Sequence, residues 1–150
     1  MTRTSTPVPS PRTSADAVIR ACLTVPCRPD QVRKVREFIR QEFGDDPDPE
    51  VPVLLASELA TNSVRHSWSR MGGTMTVTVI DTRDGMARVE VADAGGPSVP
   101  VPLDERDDWA EGGHGLKLVK DLSHHLGYRI QADGGLVTWF DVPSCGRDAG

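Results

Sequence analysis

The sequence predicts an α+β fold, a two-layer sandwich in which a mixed, mostly antiparallel sheet carries its helices on one face. Two observations lead to this prediction. First, segments in which apolar and polar residues alternate are interspersed with segments in which apolar residues recur at helical spacing. Second, short turns such as Asp84-Gly85 join neighbouring strands. Because strands joined by a short turn must run antiparallel, a doubly wound parallel sheet is excluded.

The elements follow in the order strand, two helices, two strands, long loop, helix and two strands. Apolar residues recur at helical spacing over 30–43 and 51–66, and a third helix is predicted at 116–126. Five further segments are apolar or alternate between apolar and polar residues, as strands do. They are 18–25, 74–79, 87–91, 128–132 and 136–142.

A length of 150 residues favours one domain. Residues 1–15 are rich in Ser, Thr and Pro and 144–150 form a short tail, so both are expected to be disordered around a domain at 16–143. The alternative for the first tail is a docking segment. Aromatic residues make up only 5% of the chain, so the core should consist mainly of Val, Leu, Ile and Ala.

Charge, apolar pattern and cysteine usage limit the partners and the compartment. A net charge of −5 disfavours nucleic acid, whose binders usually carry a basic stripe. No apolar run approaches the roughly 20 residues that cross a bilayer, and the first residues lack the apolar segment of a secretory signal. Cys22, Cys27 and Cys145 are odd in number without a CxxC pair, which favours reduced thiols and a cytoplasmic protein over a Cys22–Cys27 disulfide.

Glu58, Asn62 and His66 lie at i, i+4 and i+8, on one face of the second predicted helix. Leu55 and Leu59 lie beside this row, so it borders the buried side, where a carboxylate and an amide need partners. Mg²⁺ with phosphate oxygens would be such a partner: Asn62 would supply a carbonyl oxygen, and Glu58 would orient or deprotonate an attacking hydroxyl. The alternative is a solvated polar stripe, with His66 as a helix-end residue favourable to the dipole.

Asp93 has the same parity as Val89 and Val91, so it should face the helices from the end of its strand. A carboxylate in an apolar layer needs a donor, and the amino group of adenine is one. Gly95 and Gly96 follow, which would let the backbone approach a flat base closely. The alternative is an Asp that caps a D-x-G turn.

Gly112-Gly113 and Gly115 precede the third predicted helix. Backbone N–H groups at a helix start favour phosphate. The pattern is neither a Walker A loop nor a dinucleotide fingerprint, and a flexible glycine loop is the alternative. The loop ahead of it, at 94–111, is too long for a plain connection and is a candidate lid.

In this order, the motifs E-L-x-x-N-x-x-x-H, D-x-G-G-P and G-x-G-L-x-L-V resemble those of the GHKL ATPase superfamily of gyrase, heat-shock chaperones, histidine kinases and mismatch-repair proteins. The resemblance covers about residues 18–143. The small size and helix-first arrangement look most like the bacterial anti-sigma-factor serine kinases and their single-domain relatives.

The resemblance implies a role for each motif residue. Glu58 falls on the catalytic base and Asn62 on the Mg²⁺ ligand. Asp93 falls on the residue that binds the adenine amino group, with Gly95 beside it. The phosphate-binding glycine motif and the leucine packed behind it fall on Gly113, Gly115 and Leu116.

The last strand departs from the family pattern. Family members usually carry a Thr there, near the adenine. Aligned on Trp139, that position holds Val137, and Thr138 comes one residue later. Because a one-residue offset turns a side chain to the opposite face, either the register is shifted or the contact is lost.

The function implied by the resemblance is that of a protein serine kinase and anti-sigma factor. Such a protein would sequester a sigma factor and use ATP and Mg²⁺ to phosphorylate a serine of an anti-anti-sigma antagonist, and a homodimer is implied. One alternative is a non-catalytic regulator in which ATP only orders the lid and a partner surface. The other is the detached ATPase half of a histidine kinase, which is weakened because no phospho-acceptor hairpin precedes the domain.

Overall fold

The computed structural model describes residues 17–82, 84–96 and 121–144. Across these residues the chain forms a five-stranded sheet with the order β1-β2-β3-β5-β4, and each pairing is antiparallel. The strands are β1 (Val18–Pro26), β2 (Thr74–Asp81), β3 (Met86–Asp93), β4 (His125–Ile130) and β5 (Leu136–Pro143). The predicted α+β sandwich is confirmed.

Two helices cover one face of the sheet: α1 (Val32–Glu42) and α2 (Glu50–His66). A 3-10 turn at Pro29–Gln31 leads into α1, and a second at Trp68–Met71 follows α2. Both helices were predicted to within two residues, because each has an apolar stripe that faces the sheet.

The core lies between the helices and this face of the sheet. It is built mainly from small aliphatic side chains, as the low aromatic content predicts. Val35 and Ile39 of α1 and Leu55 and Leu59 of α2 are almost fully buried against it. The inward residues of the strands complete the core; they include Val77, Val79, Val89, Val91 and Phe140.

The prediction of a helix through residue 126 is wrong at its end. Asp121 and Leu122 have helical backbone, but β4 already begins at His125. A single apolar residue fits either periodicity, and here Leu126 packs on the core from a strand, opposite Phe140. Residues 116–120, like both predicted tails, lie outside the described part of the chain.

The other face of the sheet carries a polar network. Arg88 on β3 donates two hydrogen bonds to Asp141 on β5, at 2.7 and 3.0 Å, and both side chains are buried. The guanidinium of Arg88 lies 3.7 Å from the ring centroid of Trp139. Gly127 on β4 makes room for this ring, because a Cβ there would lie 2.4 Å from it.

Candidate active site

The row predicted on α2 lies along the border of the core. Glu58 and Asn62 are both half-buried, whereas His66 is exposed at the last residue of the helix. The neighbouring Leu55 and Leu59 are buried. A fully solvated polar stripe therefore does not describe Glu58 and Asn62, which lie at the border between the core and the surface.

Asp93 is the last residue of β3, and its side chain faces the helices as predicted. Its Oδ2 accepts a hydrogen bond from the hydroxyl of Ser63 on α2 at 2.5 Å. Its Oδ1 accepts one from the backbone N–H of Gly95 at 2.7 Å. The turn-capping alternative thus describes one oxygen of this carboxylate, while the other joins the strand end to α2.

The turn after β3 is wedged between two other segments. Gly95 has φ +83°, and a Cβ there would lie 2.3 Å from the carbonyl oxygen of Gly134 in the β4–β5 turn. A Cβ at Gly96 would lie 2.3 Å from the carbonyl oxygen of His66 at the end of α2. Both positions therefore need glycine, and the close approach gathers the end of α2, the end of β3 and the β4–β5 turn at one place.

Serine side chains hold this turn, and sequence reasoning missed them. Besides Ser63, the hydroxyl of Ser67 donates to the carbonyl oxygen of Gly95 at 3.2 Å. The hydroxyl of Ser69 accepts from the backbone N–H of Ala94 at 2.9 Å. Ser63, Ser67 and Ser69, here called the serine clasp, are all buried. No local pattern in the sequence marks these serines as buried residues that bond to a distant strand end, so sequence reasoning had no signal for them.

Thr138 lies on the same face of the sheet as Asp93. It pairs with Val91 across β3 and shares parity with the core residue Phe140, and its hydroxyl donates to the carbonyl oxygen of Val91 at 3.4 Å. Val137 pairs with Ala92 and points to the opposite face. The side chain of Thr138, and not that of Val137, is therefore on the face of the sheet toward which Asp93 points.

Two titratable groups near the site have shifted pKa values. Burial and, to a smaller extent, the negative charge of Asp93 raise the pKa of the Cys27 thiol to about 11, against the opposing effect of Arg70. Burial lowers the pKa of His66, as do the positive charges of Arg65 and Arg70. His66 ends α2 as predicted, but its lowered pKa disfavours the charged form that would stabilise the helix dipole.

The donor set fits a nucleotide with its cation better than a bare metal ion. No group of three or more His, Cys, Asp and Glu able to hold a metal occurs in the described ranges. Mg²⁺, however, keeps several waters and takes phosphate oxygens, so one or two protein oxygens are enough. The carbonyl oxygen of half-buried Asn62 is the kind of ligand that Mg²⁺ takes, Glu58 one turn earlier is a carboxylate of the kind that accepts a proton, and the carboxylate of Asp93 is a hydrogen-bond acceptor.

The third motif cannot be compared with its prediction. Gly113, Gly115, Leu116 and the candidate lid beyond Gly96 lie outside the described residues.

The family profile of the histidine kinase-like ATPase domain matches residues 25–141. The chain belongs to this family. Membership of this ATPase family implies ATP as the nucleotide. Among curated proteins, none matches the chain.

Three solved structures have a similar fold. The RsbU and RsbW domains of Rv1364c from Mycobacterium tuberculosis align with a TM-score of 0.60 and 19% identity, over 83% of this chain and 33% of that one. The SiaB-SiaC complex from Pseudomonas aeruginosa aligns with a TM-score of 0.59 and 13% identity, over 83% and 89%. Full-length ShkA in complex with AMPPNP aligns with a TM-score of 0.56 and 21% identity, over 80% and 30%.

At these low identities, the TM-scores show that the fold is shared. This chain covers only about a third of the length of the Rv1364c and ShkA chains. Within the part of the chain that the structure describes, no helix is long and apolar enough to cross a membrane.

Proposed function

We propose that this chain is a protein serine kinase and anti-sigma factor that binds Mg-ATP between α2 and the end of β3. The observation that supports it most is the placement of Asp93. Its carboxylate faces α2, the helix that also carries Glu58 and Asn62, so the proposed base acceptor and the proposed phosphate-directed residues lie on facing elements. The ATPase family supports the nucleotide, and the RsbW and SiaB-SiaC structures support the kind of partner.

The base end of the site would be formed by Asp93 and its surroundings. The carboxylate of Asp93 accepts an N–H from the amino group of adenine. Gly95 lies beside it and donates its backbone N–H to Oδ1 of Asp93. Thr138, on the same face of the sheet, brings a hydroxyl to this side.

The phosphate end would be formed by α2 and the third motif. The carbonyl oxygen of Asn62 would hold Mg²⁺, which would neutralise phosphate charge. Gly113 and Gly115, which lie outside the described residues, would contact phosphate through their backbone N–H groups, with Leu116 behind them. Glu58 accepts the proton of the attacking serine hydroxyl, as the new O–P bond forms and the bond to the ADP oxygen breaks.

The protein partners would be a sigma factor and an anti-anti-sigma antagonist whose serine is the phosphate acceptor. A homodimer is part of the proposal. A role on a sigma factor would place the protein in the cytoplasm.

The test combines Mg-ATP calorimetry with phosphoryl transfer. The wild-type protein should bind ATP with a micromolar Kd that needs Mg²⁺, and it should transfer ³²P from γ-labelled ATP to a purified anti-anti-sigma protein of the same genome. Glu58→Ala should keep the ATP affinity and lose about 10²- to 10⁴-fold in transfer rate, since general bases contribute factors of this size. Glu50→Ala, at the exposed first residue of the same helix, is the control and should change neither.

Two other outcomes would contradict parts of this proposal. Tight binding without transfer by the wild type would make the protein a non-catalytic ATP-binding regulator. If the folded protein does not bind ATP, the site proposal is overturned.

A further inference from the structure

The hydroxyl of Ser63 donates its hydrogen bond to the carboxylate of Asp93. Ser63 is 3% exposed and donates to Oδ2 of Asp93 across 30 residues of sequence. Hydrogen bonds to an ionised acceptor are stronger than those between neutral groups, and a buried donor that loses its acceptor is destabilising. The contact is therefore part of how the carboxylate of Asp93 is held.

With the contact from Gly95, this bond fixes the plane of the carboxylate. Gly95 donates to Oδ1 and Ser63 to Oδ2, so neither oxygen can turn away without losing a donor. Both donors are neutral and leave the carboxylate an acceptor. Further hydrogen bonds remain possible, because an ionised carboxylate has about four lone-pair sites.

We propose that Ser63 is a positioning residue that sets the base selectivity of the site. By holding the carboxylate of Asp93, it makes the site prefer a purine with an amino group at position 6 over one with a carbonyl oxygen there. The amino group donates to the carboxylate, whereas a carbonyl oxygen would face it as a second acceptor. This inference rests on the proposed ATP site.

The rest of the serine clasp acts on different atoms. Ser67 and Ser69 bond the main chain at Gly95 and Ala94, and so hold the turn rather than the carboxylate. Ser63 also follows Asn62 directly in α2. The Ser63–Asp93 bond therefore fixes the base-reading strand end relative to the helix that carries the proposed phosphate-directed residues.

The experiment compares ATP with ITP, whose base has a 6-oxo group in place of the 6-amino group and a proton on N1. Calorimetry on the full chain with Mg²⁺ gives both Kd values, and their ratio is the selectivity. Ser63→Ala should weaken ATP binding about tenfold and leave ITP binding unchanged, so that the selectivity falls about tenfold, the effect of one well-placed hydrogen bond. A purely structural loss would weaken both nucleotides equally.

Two further variants complete the test. Ser63→Thr keeps the hydroxyl and should restore the selectivity. Ser57→Ala, which removes a half-buried hydroxyl of the same helix that contacts Arg36, should leave both Kd values unchanged. If Ser63 acts through Asp93, Ser63→Ala should have no further effect on selectivity in an Asp93→Asn background.

The outcomes separate this inference from the proposed function. If the wild type prefers ATP and Ser63→Ala keeps that preference, the role of Ser63 is overturned and the ATP site stands. If the wild type binds neither nucleotide, the proposed site fails and the inference fails with it.

Discussion

Asp93 and Asp141 are two carboxylates on neighbouring strands of one sheet, held in opposite ways. Asp141, on the face away from the helices, meets the Arg88 guanidinium at 2.7 and 3.0 Å and His125 Nδ1 at 3.3 Å. Asp93, on the helix face, meets the hydroxyl of Ser63 and the backbone N–H of Gly95. One carboxylate has a cation against it, and the other has neutral donors.

The difference separates a structural carboxylate from one suited to a ligand. Arg88 satisfies the charge and the fork geometry of Asp141, and both side chains are buried, so another molecule has no access to this carboxylate. Neutral donors orient Asp93 without cancelling its charge. Asp93 is the last residue of its strand and is only half-buried, which is consistent with the proposed role of its carboxylate.

The largest expected effect is on stability, from breaking the ion pair of Asp141. Arg88→Ala leaves a buried carboxylate without its cation and should lower the free energy of unfolding by about 3–5 kcal/mol in urea titration. The double variant Arg88→Met/Asp141→Leu removes both charges and should lose less. A single-variant loss below about 1 kcal/mol would show that the pair is not the structural element described.

The next effect concerns nucleotide affinity. Asp93→Asn puts an amide where the adenine amino group needs an acceptor and should raise the Kd for Mg-ATP about 100-fold, or about 2.7 kcal/mol, by calorimetry. Asp141→Asn is the matched control: it should destabilise the fold and leave the Kd of the folded protein within about twofold. If the two substitutions changed the Kd equally, the claim that only Asp93 contacts the nucleotide would be wrong.

A third prediction concerns the turn that places Asp93. Gly95→Ala forces a side chain into a left-handed backbone and onto the carbonyl oxygen of Gly134, and should lower the free energy of unfolding by about 2 kcal/mol. Gly85 has φ +84° with nothing within 4 Å of its Cβ position, so Gly85→Ala isolates the backbone strain. That control should lose about 1 kcal/mol by the same denaturation. Equal losses would contradict the close approach.

The smallest effect reports the charge of Asp93 directly. Burial and the charge of Asp93 raise the pKa of Cys27 to about 11, so about one thiol in a thousand is ionised at pH 8. Asp93→Asn removes one raising cause, lowers this pKa and should speed alkylation of Cys27 by iodoacetamide a few-fold, measured by peptide mass spectrometry. Exposed Cys22 is the internal control and should react at an unchanged rate. No change at Cys27 would mean that Asp93 does not act on it as a charge.

The sequence predicted what depends on local pattern. The alternation in β2 and β3 and the apolar stripes of α1 and α2 gave the layers, and parity along β3 correctly turned Asp93 toward the helices. The start of β4 was missed because Leu126 fits either periodicity. The Leu126–Phe140 pairing becomes visible only once the sheet is assembled.

The contacts that define the site depend on residues far apart in the chain. The Ser63–Asp93 bond joins a helix to a strand, and no local pattern marks a buried serine as its donor. The Arg88–Asp141 pair was missed for the related reason that charged residues at the outward positions of a strand are expected to face solvent. The face that Thr138 takes followed only from the observed register with β3.

The strand order also has a consequence for synthesis of the chain. β5 lies between β3 and β4 in the sheet. The edge of β3 that faces away from β2 therefore has no partner until residues 136–143 have left the ribosome. An apolar strand with an open edge invites pairing with another chain, and slow translation of the last segment would prolong that exposure. Nascent chains stalled before β5 should therefore aggregate or engage chaperones, whereas those that include it can close the sheet.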